Sequence, residues 1–308
     1  NTVNFSTKKF SWNTTLTLSH NKNSVKALTG EAVQLYEAKF GFNQNTHRIA
    51  VGEPLGQFYG YITEGLYQVD DFNYDASTQT YTLKDGIPYH GDKGRIRPGM
   101  WKFKNLAGDD NVIDENDKTV IGNAQPKFYG GLNNSFTYKG FDLSIFLTFS
   151  YGNEVLNATK LVTSKVGSLN YNALDVMNSS NRWMTINSDG QKVTDPGELA
   201  ALNAGKTVAA YHDAQQGDNY IHSWAVEDAS YLKLSNVTLG YTFPKNLIAR
   251  VGLKNLRLYA TGNNLLTWTK YSGFDPEVST MKSGLTPGVD FGAYPLSRSF
   301  IFGLNVAF

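Results

Sequence analysis

The acidic stretch NLAGDDNVIDEND, residues 105–117, has the residue types that best suit metal chemistry in this chain. Spaced carboxylate and amide oxygens are the ligands that a hard cation such as calcium prefers. The ordinary alternative is an acidic turn in contact with solvent. The sequence therefore raises calcium as a candidate cofactor and leaves the solvated turn open.

The remaining titratable residues do not form a catalytic pattern. Asp70 and Asp71 are adjacent carboxylates of the kind that glycosidases use, but no surrounding motif supports that role. The chain has no cysteine, and it lacks a phosphate-binding glycine loop and a nucleophile elbow. We therefore expect a protein that is not an enzyme. Five histidines lack metal-ligand spacing and are expected to be scattered over the surface: His20, His47, His90, His212 and His222.

Two tryptophans, Trp183 and Trp224, lie within a long segment that has no strand pattern. Indole rings in such a position could stack on sugars, which makes both residues candidates for substrate binding. The alternative is that the rings pack inside the segment, since a large loop needs a core of its own.

Composition restricts the function further. The 308 residues have a formal net charge of +1, so no strong field favours nucleic acid as a partner. Aromatic residues are abundant, with 18 Phe and 18 Tyr, and glycine is frequent, which favours strands and turns over helices. No apolar run approaches the roughly 18 residues that a membrane helix needs.

The elements that must position these residues are strands with two unlike faces. The chain closes with SFIFGLNVAF, in which every second residue is large and apolar. The same alternation occurs in KFSWNTTLTLSH, KFYGGLNNSFTYKG, FDLSIFLTFSYG, YLKLSNVTLGYTF and LRLYATGNNLLTW. A slip of phase near Ser235 predicts a β-bulge. With less regular candidates near 55–67 and 99–104, we predict about eight antiparallel strands, close to the length that a tilted membrane strand requires.

The connections between these strands are of unequal length. Tyr138–Phe141 is a tight turn, whereas residues 152–228 form a very long loop and 70–98 and 270–297 are long too. Short turns on one side and long loops on the other are typical of an outer-membrane barrel. Small uncharged polar residues on the second face favour a hydrated lumen. A secreted β-sandwich that binds carbohydrate or acts as an adhesin is the alternative.

The long loop also contains a helix signal. Asp195 is a suitable N-cap, Pro196 follows at the first helical position, and Gly205 can end the helix. Trp12 and Trp268 are near strand ends, where an interfacial aromatic girdle is expected.

Several long motifs resemble one known family. They are VGEPLGQFYGYITEGLYQ, GDDNVIDENDKTVIGNAQPKFYGGLNNSFTYKGFDLSIFLTFSYGNEVLN, VEDASYLKLSNVTLGYTFP, LRLYATGNNLLTWTKYSGFDPEV and YPLSRSFIFGLNVAF. Together they are similar, over nearly the whole chain, to the C-terminal barrel of SusC/RagA-family TonB-dependent outer-membrane transporters of Bacteroidetes.

The resemblance implies a transmembrane antiparallel β-barrel of 22 strands with an N-terminal plug. Residues 1–308 would supply about the last eight strands, with 152–228 as a long extracellular loop, and the plug and first strands would be absent from this chain. The implied function is active import of oligosaccharides or peptides across the outer membrane. The implied partners are a SusD-like surface lipoprotein as a lid, the TonB complex acting through the missing N-terminal region, the rest of the transporter, and outer-membrane lipid.

The resemblance also sharpens two site predictions. The family often has a calcium-type loop, and counting back from Asp117 places Asp114 and Asp110 on ligand positions. Leu106 and Gly108 would then occupy the first two positions, so the motif is damaged; counting forward from Asn105 instead gives Asp109 a ligand position. Second, a terminal aromatic such as Phe308 is typically read as the assembly signal of the barrel.

Overall fold

The protein, described here from a computed structural model, is all-β, as the sequence predicts. The structure describes residues 1–37, 44–108, 110–164, 172–210, 220–280 and 283–308. The strands in chain order are β1 (Thr2–Ser6), β2 (Phe10–Ser19), β3 (Val33–Glu37), β4 (Asn45–Ala50), β5 (Gln57–Gly60), β6 (Thr63–Leu66), β7 (Phe72–Asp75), β8 (Thr80–Leu83), β9 (Tyr89–His90), β10 (Trp101–Phe103), β11 (Val112–Ile113), β12 (Thr119–Asn123), β13 (Phe128–Tyr138), β14 (Phe141–Tyr151), β15 (Glu154–Asn157), β16 (Val226–Asp228), β17 (Tyr231–Thr242), β18 (Asn255–Thr269), β19 (Val289–Asp290) and β20 (Ser299–Ala307).

Helices are short. The α-helices are α1 (Ala158–Thr163), α2 (Pro196–Leu202) and α3 (Lys245–Ile248), and 3₁₀ turns occur at Val69–Asp71, Lys93–Arg95, Glu115–Asp117, Asp175–Met177, Ser223–Ala225 and Ala249–Val251. The predicted helix after Asp195 is confirmed as α2, and the Asp195 side chain accepts a hydrogen bond from the Glu198 N–H. Among the described residues, no helix has both the length and the apolar character needed to cross a membrane.

One large antiparallel sheet dominates the structure. Its seven strands run in the order β1-β2-β13-β14-β17-β18-β20. All six alternating stretches of the sequence form strands of this sheet, and only β1 was not foreseen. The long, regular pattern of apolar residues at every second position accounts for that success, because both faces of each strand then agree with those of its neighbours.

The large sheet has seven strands, close to the expected count of about eight, but two of the stretches counted towards it lie elsewhere. The stretches near 55–67 and 99–104 do form strands, namely β5, β6 and β10, but these strands are only three or four residues long. They pair in smaller sheets, β10 with β6 and β12-β5-β4-β3, outside the large sheet. Strands this short cannot cross a bilayer, so their alternation reflects local packing.

The large sheet has one apolar and one polar face. In one cross-strand row, Trp12, Phe136, Leu143, Leu239, Ala260 and Phe302 lie side by side. Many side chains of this apolar face are exposed, including Leu239 at 50% and Phe302 at 81%. Apolar rows left uncovered by protein fit a lipid environment.

The polar face is held together by hydrogen bonds between neighbouring strands. Ser11 and Thr137 hydroxyls lie 2.6 Å apart, and Thr238 and Thr261 hydroxyls 2.8 Å apart. Apolar exceptions on this face are Ile301, which pairs with Thr261, and Phe146, which pairs with Asn133 and Asn236. These hydroxyl groups satisfy one another across neighbouring strands. The polar face can therefore consist mainly of small, uncharged side chains.

Turn geometry follows the sequence closely at two places. Lys139 and Gly140 both have positive φ, 47° and 92°, which gives the tight hairpin between β13 and β14 the twist it needs. The register between β14 and β17 shifts between Leu234 and Asn236, which confirms the predicted bulge at Ser235. The bulge keeps apolar residues on the same face on both sides of the slip.

The connections differ sharply between the two ends of the large sheet. Residues 7–9, 139–140 and 243–254 are short turns at one end. Residues 20–127, 152–230 and 270–298 connect strands at the other end, where their described parts fold into a mass that we call the loop body. The predicted division into short turns and long loops is confirmed, and the long loops contain regular structure of their own.

Candidate functional site

The loop body is the candidate functional site, because chain segments far apart in sequence meet there. β15 pairs with β16 and also, in parallel, with β19, which joins the second and third long segments. The Tyr61 N–H donates to the Ile221 carbonyl, which joins the first segment to the second. The three long segments that leave the large sheet therefore form one packed unit.

Aromatic rings fill the main core of the loop body. Tyr61 stacks on Phe103 with ring centroids 5.3 Å apart, and Trp101 lies 4.9 Å from Trp224. The core also includes apolar residues of the second segment such as Leu199. Burial of large aromatic rings supplies the stabilisation that a loop region otherwise lacks.

Trp183 belongs to this core and is only 1% exposed. Its ring lies against Gly99, where an added Cβ would sit 2.3 Å from the indole Cγ. Gly99 also has a φ of +87°, a backbone conformation that favours glycine. Glycine is therefore needed here both for the backbone conformation and for the lack of room beside the indole ring. Trp183 therefore offers no face to a ligand, so for this residue the structure favours the packing alternative over substrate binding.

Trp224 is half-buried between two hydrophobic clusters and lies under a cation. The Lys160 ammonium is 4.0 Å from the centre of the indole ring and 3.0 Å from Glu227 Oε1. Burial pushes the pKa of Glu227 upward, but hydrogen bonds from Ser272 and the charge of Lys160 bring it below its ordinary value. The contacts of Trp224 are thus structural, and its contact with a substrate stays a prediction.

The histidines depart from the surface placement expected of them. His47, His90 and His222 are each at most 1% exposed, and His20 alone of the described four is on the surface. His212 lies outside the described residues. His90 and His222 pack against the ring of Phe103, with centroids 5.1 and 5.3 Å away. Their burial was missed because each packs on a ring from another long segment, His90 on Tyr220 and His222 on Phe103.

His47 is held neutral by its surroundings. Burial lowers its pKa to about 4, although a hydrogen bond to the Pro287 carbonyl, 2.9 Å from Nε2, acts in the opposite direction. The Thr46 hydroxyl lies 2.8 Å from the other ring nitrogen. His47 thus joins the first long segment to the third.

The acidic loop is organised by its own backbone. Asp117 is fully buried, and its carboxylate accepts the N–H groups of Leu106, Ala107 and Asp114 at 2.6, 2.9 and 2.8 Å. Burial pushes the pKa of Asp117 upward, but these donors together bring it below its ordinary value. A carboxylate so well satisfied can shape the loop without a metal.

The other predicted calcium ligands are less buried. Asp114 caps the following 3₁₀ turn by accepting the Asn116 N–H, and Asp110 accepts a long hydrogen bond from Val112. Asp109 lies outside the described residues. Over the part of the chain that the structure describes, no group of three or more His, Asp or Glu is arranged to hold a metal ion. Calcium at Asp110, Asp114 and Asp117 stays a prediction.

The paired carboxylates Asp70 and Asp71 do not face each other across a cleft. The Asp71 carboxylate accepts a hydrogen bond from the Gln68 N–H. It also forms an ion pair with Lys102, whose Nζ lies 3.0 Å from Asp71 Oδ1. The Asp70 backbone carbonyl accepts from Lys84. These contacts stabilise a local turn, so they lend no support to glycoside hydrolysis.

Sequence reasoning missed a cavity where the second and third long segments meet. Its volume is about 200 Å³, and Asn157, Thr159, Ser272, Phe274 and Asp290 are among the residues that line it. The lining residues come from 157–174 and 272–293, which are far apart in the sequence. No local motif predicts that these two stretches meet.

Ion pairs also tie the third segment to the polar face of the sheet. Lys233 on β17 is buried, with its ammonium 3.5 Å from Asp275 Oδ1 and paired with Glu277. Tyr231 donates its hydroxyl proton to Glu277 as well. The segment after β18 therefore folds inward over the polar face.

Several TonB-dependent receptors match this chain over all or nearly all of its length. It is 33% identical to one TonB-dependent receptor of Formosa agariphila over 100% of its length and 31% identical to another over 98%. It is 27% identical, over 98% of its length, to the TonB-dependent receptor SusC of Bacteroides thetaiotaomicron. The chain spans only 25–29% of the length of these relatives. No family model matches the chain.

Solved structures agree on the fold. The RagAB peptide transporter matches 99% of this chain with a TM-score of 0.66 at 19% identity, and the RagAB peptide importer in its closed-closed state gives the same TM-score at 18% identity. This chain covers 28% of each of those chains. The relatives are named as receptors and transporters and not as enzymes, in agreement with the prediction. Over its whole length the chain is therefore similar to a part of the TonB-dependent receptors, SusC among them, and it shares the fold of the RagAB transporter.

Proposed function

We propose that residues 1–308 form part of the wall and the mouth of an outer-membrane importer. The observation that carries this proposal is the arrangement of the large sheet, whose long segments all leave at one end and pack into the loop body. A wall with an uncovered apolar face and a polar inner face suits a lipid-embedded pore. The loop body would then face the outside of the cell.

The cargo in this proposal is an oligosaccharide or a peptide. The name SusC belongs to a receptor and RagAB to a peptide transporter, and both resemble this chain. Energy would come from TonB through the region of the transporter that these residues do not include. A SusD-like lipoprotein would cover the loop body as a lid, and its contacts would involve exposed loop residues.

The apolar face argues against the alternative of a secreted β-sandwich. A sandwich buries its apolar face beneath a second sheet. Over the described residues, Leu16, Leu239 and Phe302 of the large sheet remain at least 50% exposed, and the smaller sheets lie at its end. Such a surface would aggregate in water.

Deletion of the gene for the complete transporter tests the proposal. We expect loss of growth on one class of oligosaccharide or peptide as sole carbon source, with growth restored by the intact gene. A version lacking its TonB-binding region should not restore growth. Recovery of the protein in the soluble secreted fraction, with growth unchanged on every substrate, would overturn the proposal.

A further inference from the structure

The cavity between the second and third long segments has features of a ligand site: its lining is mostly apolar, with a few polar side chains among the apolar ones. Two polar side chains form its floor, Asn157 and Asp290, which are 4% and 5% exposed. Asp290 is held in place by the Tyr271 hydroxyl, which donates to its Oδ2 at 2.6 Å. A buried carboxylate fixed on one oxygen presents the other with a defined orientation.

Hydrogen-bonding capacity is left over on this floor. The second carboxylate oxygen of Asp290 receives only a 3.3 Å contact from the Ala293 N–H. The Asn157 amide nitrogen makes two long contacts, 3.4 Å to Ser272 Oγ and 3.5 Å to Glu227 Oε1. Contacts of this length are weak, so both groups can accept better partners from a ligand.

An aromatic ring stands at the rim. Phe274 lines the cavity and is 81% exposed, which is unusual for a phenyl group in a packed loop. Gly292 and Ala293 also line the cavity, and their small size leaves room in it. An exposed ring above a polar floor can cover the apolar face of a sugar ring while its hydroxyls reach the floor.

Charge and size narrow the choice of ligand. Asp290 is the one charged residue among those that line the cavity in the described structure, and the nearby Lys160 is engaged by Glu227. A carboxylate surrounded by hydroxyls and an amide repels anions and favours hydroxyl donors. A volume of about 200 Å³ is below the usual range of about 300–1,000 Å³ for drug-sized ligands, so it suits a single ring.

We propose that this cavity binds one neutral sugar residue of an oligosaccharide, with Phe274 stacked on the ring and Asp290 and Asn157 bonded to its hydroxyls. This inference rests on the proposed function, and it assigns to the loop body a first contact for the cargo. The site is separate from Trp183 and Trp224, which the sequence suggested for this purpose.

The test uses the purified complete transporter in detergent and measures binding by saturation-transfer NMR and calorimetry. The probes are maltose, cellobiose, xylobiose and laminaribiose, with a uronic acid disaccharide and the dipeptide Gly-Lys for comparison. We expect at least one neutral disaccharide to bind and Phe274→Ala to weaken it at least fivefold. Tyr294→Ala is the matched control, because Tyr294 is 90% exposed on the same segment and does not line the cavity.

The outcomes separate this inference from the proposed function. Binding of the dipeptide or the uronic acid alone, or equal effects of Phe274→Ala and Tyr294→Ala, would overturn the sugar site. Asp290→Asn supplies a second measurement: it should weaken the same disaccharide, with correct folding judged by unchanged resistance to trypsin. If uptake of a glycan or peptide still depends on TonB while the cavity variants bind as the wild type, the importer stands and the sugar site fails.

Discussion

The guanidinium of Arg257 on β18 reaches diagonally across β17 and pairs with the carboxylate of Asp142 on β14. Nε lies 3.0 Å from one oxygen and Nη2 2.5 Å from the other. The intervening position on β17 is Gly240, which pairs with Asp142 in register. Two-point pairing across three strands fixes their relative position on the polar face near the short turns.

Gly240→Ala should disrupt this bridge. The added Cβ would lie 2.4 Å from Arg257 Nη2 and 2.6 Å from the Asp142 carboxylate. We expect a loss of about 1–3 kcal/mol in stability, the usual cost of overpacking. The measurement is the temperature at which the complete transporter unfolds in SDS gels. Gly284→Ala is the control, since no atom lies within 4 Å of its added Cβ; equal shifts in both variants would contradict the prediction.

Gly99→Ala should loosen the core of the loop body. It combines an unfavourable φ of +87° with a clash against the Trp183 ring. Gly86→Ala shares the positive φ, +81°, but meets no atom within 4 Å, so it isolates the conformational part of the cost. We expect faster trypsin cleavage of the loop body for Gly99→Ala than for Gly86→Ala. Identical cleavage rates would show that the contact between Gly99 and Trp183 does not contribute to the stability of the loop body.

Acidification should destabilise the loop body through His47. The pKa of His47 is about 4 in the folded protein against an ordinary value of 6.5, so the unfolded state binds more protons between these two values. The free energy of unfolding is therefore at its full value above pH 6.5. Through His47 it falls, by about 3 kcal/mol at most, as the pH drops to 4. Hydrogen exchange across that range should show the decline in wild type and a smaller one in His47→Gln. An equal decline in both would assign the effect to other groups.

Asp117→Asn should open the acidic loop whether or not calcium is present. The carboxylate accepts three backbone N–H groups on its two oxygens, whereas an amide has a single accepting oxygen and an NH₂ group that can only donate. Protease resistance of residues 105–118 is measured in EGTA and in calcium. Asp110→Asn is the comparison; an effect of that variant seen only in calcium would support the predicted metal site. Unchanged resistance of Asp117→Asn in EGTA would contradict the structural role.

Phe308→Ser should lower the amount of assembled transporter more than it lowers transport per assembled molecule. Phe308 is 81% exposed and follows the last residue of β20, so packing gives little reason for a loss of stability. Phe308→Tyr keeps the aromatic ring and serves as the control. The measurement compares membrane-inserted protein with uptake per molecule. Normal assembly of Phe308→Ser would count against the assembly signal.

The outcome of the histidine and tryptophan predictions shows where sequence reasoning stops. His90 and Trp183 looked like loop residues because no periodic pattern surrounds them. Their burial depends on rings and glycines contributed by other segments, namely Tyr220 for His90 and Gly99 for Trp183. A helix cap such as Asp195 was predictable because its partners lie within one turn.

The sequence by itself determined the strands of the large sheet, their two faces, the bulge at Ser235 and the unequal connections. Each of these depends on interactions between residues close in the chain, or on a period of two that every strand repeats. Only the tertiary structure decided which side chains meet in the loop body. Contacts such as Tyr61 to Ile221 or His47 to Pro287 require different long connections to close on one another, and no local sequence pattern predicts which side chains will fit together.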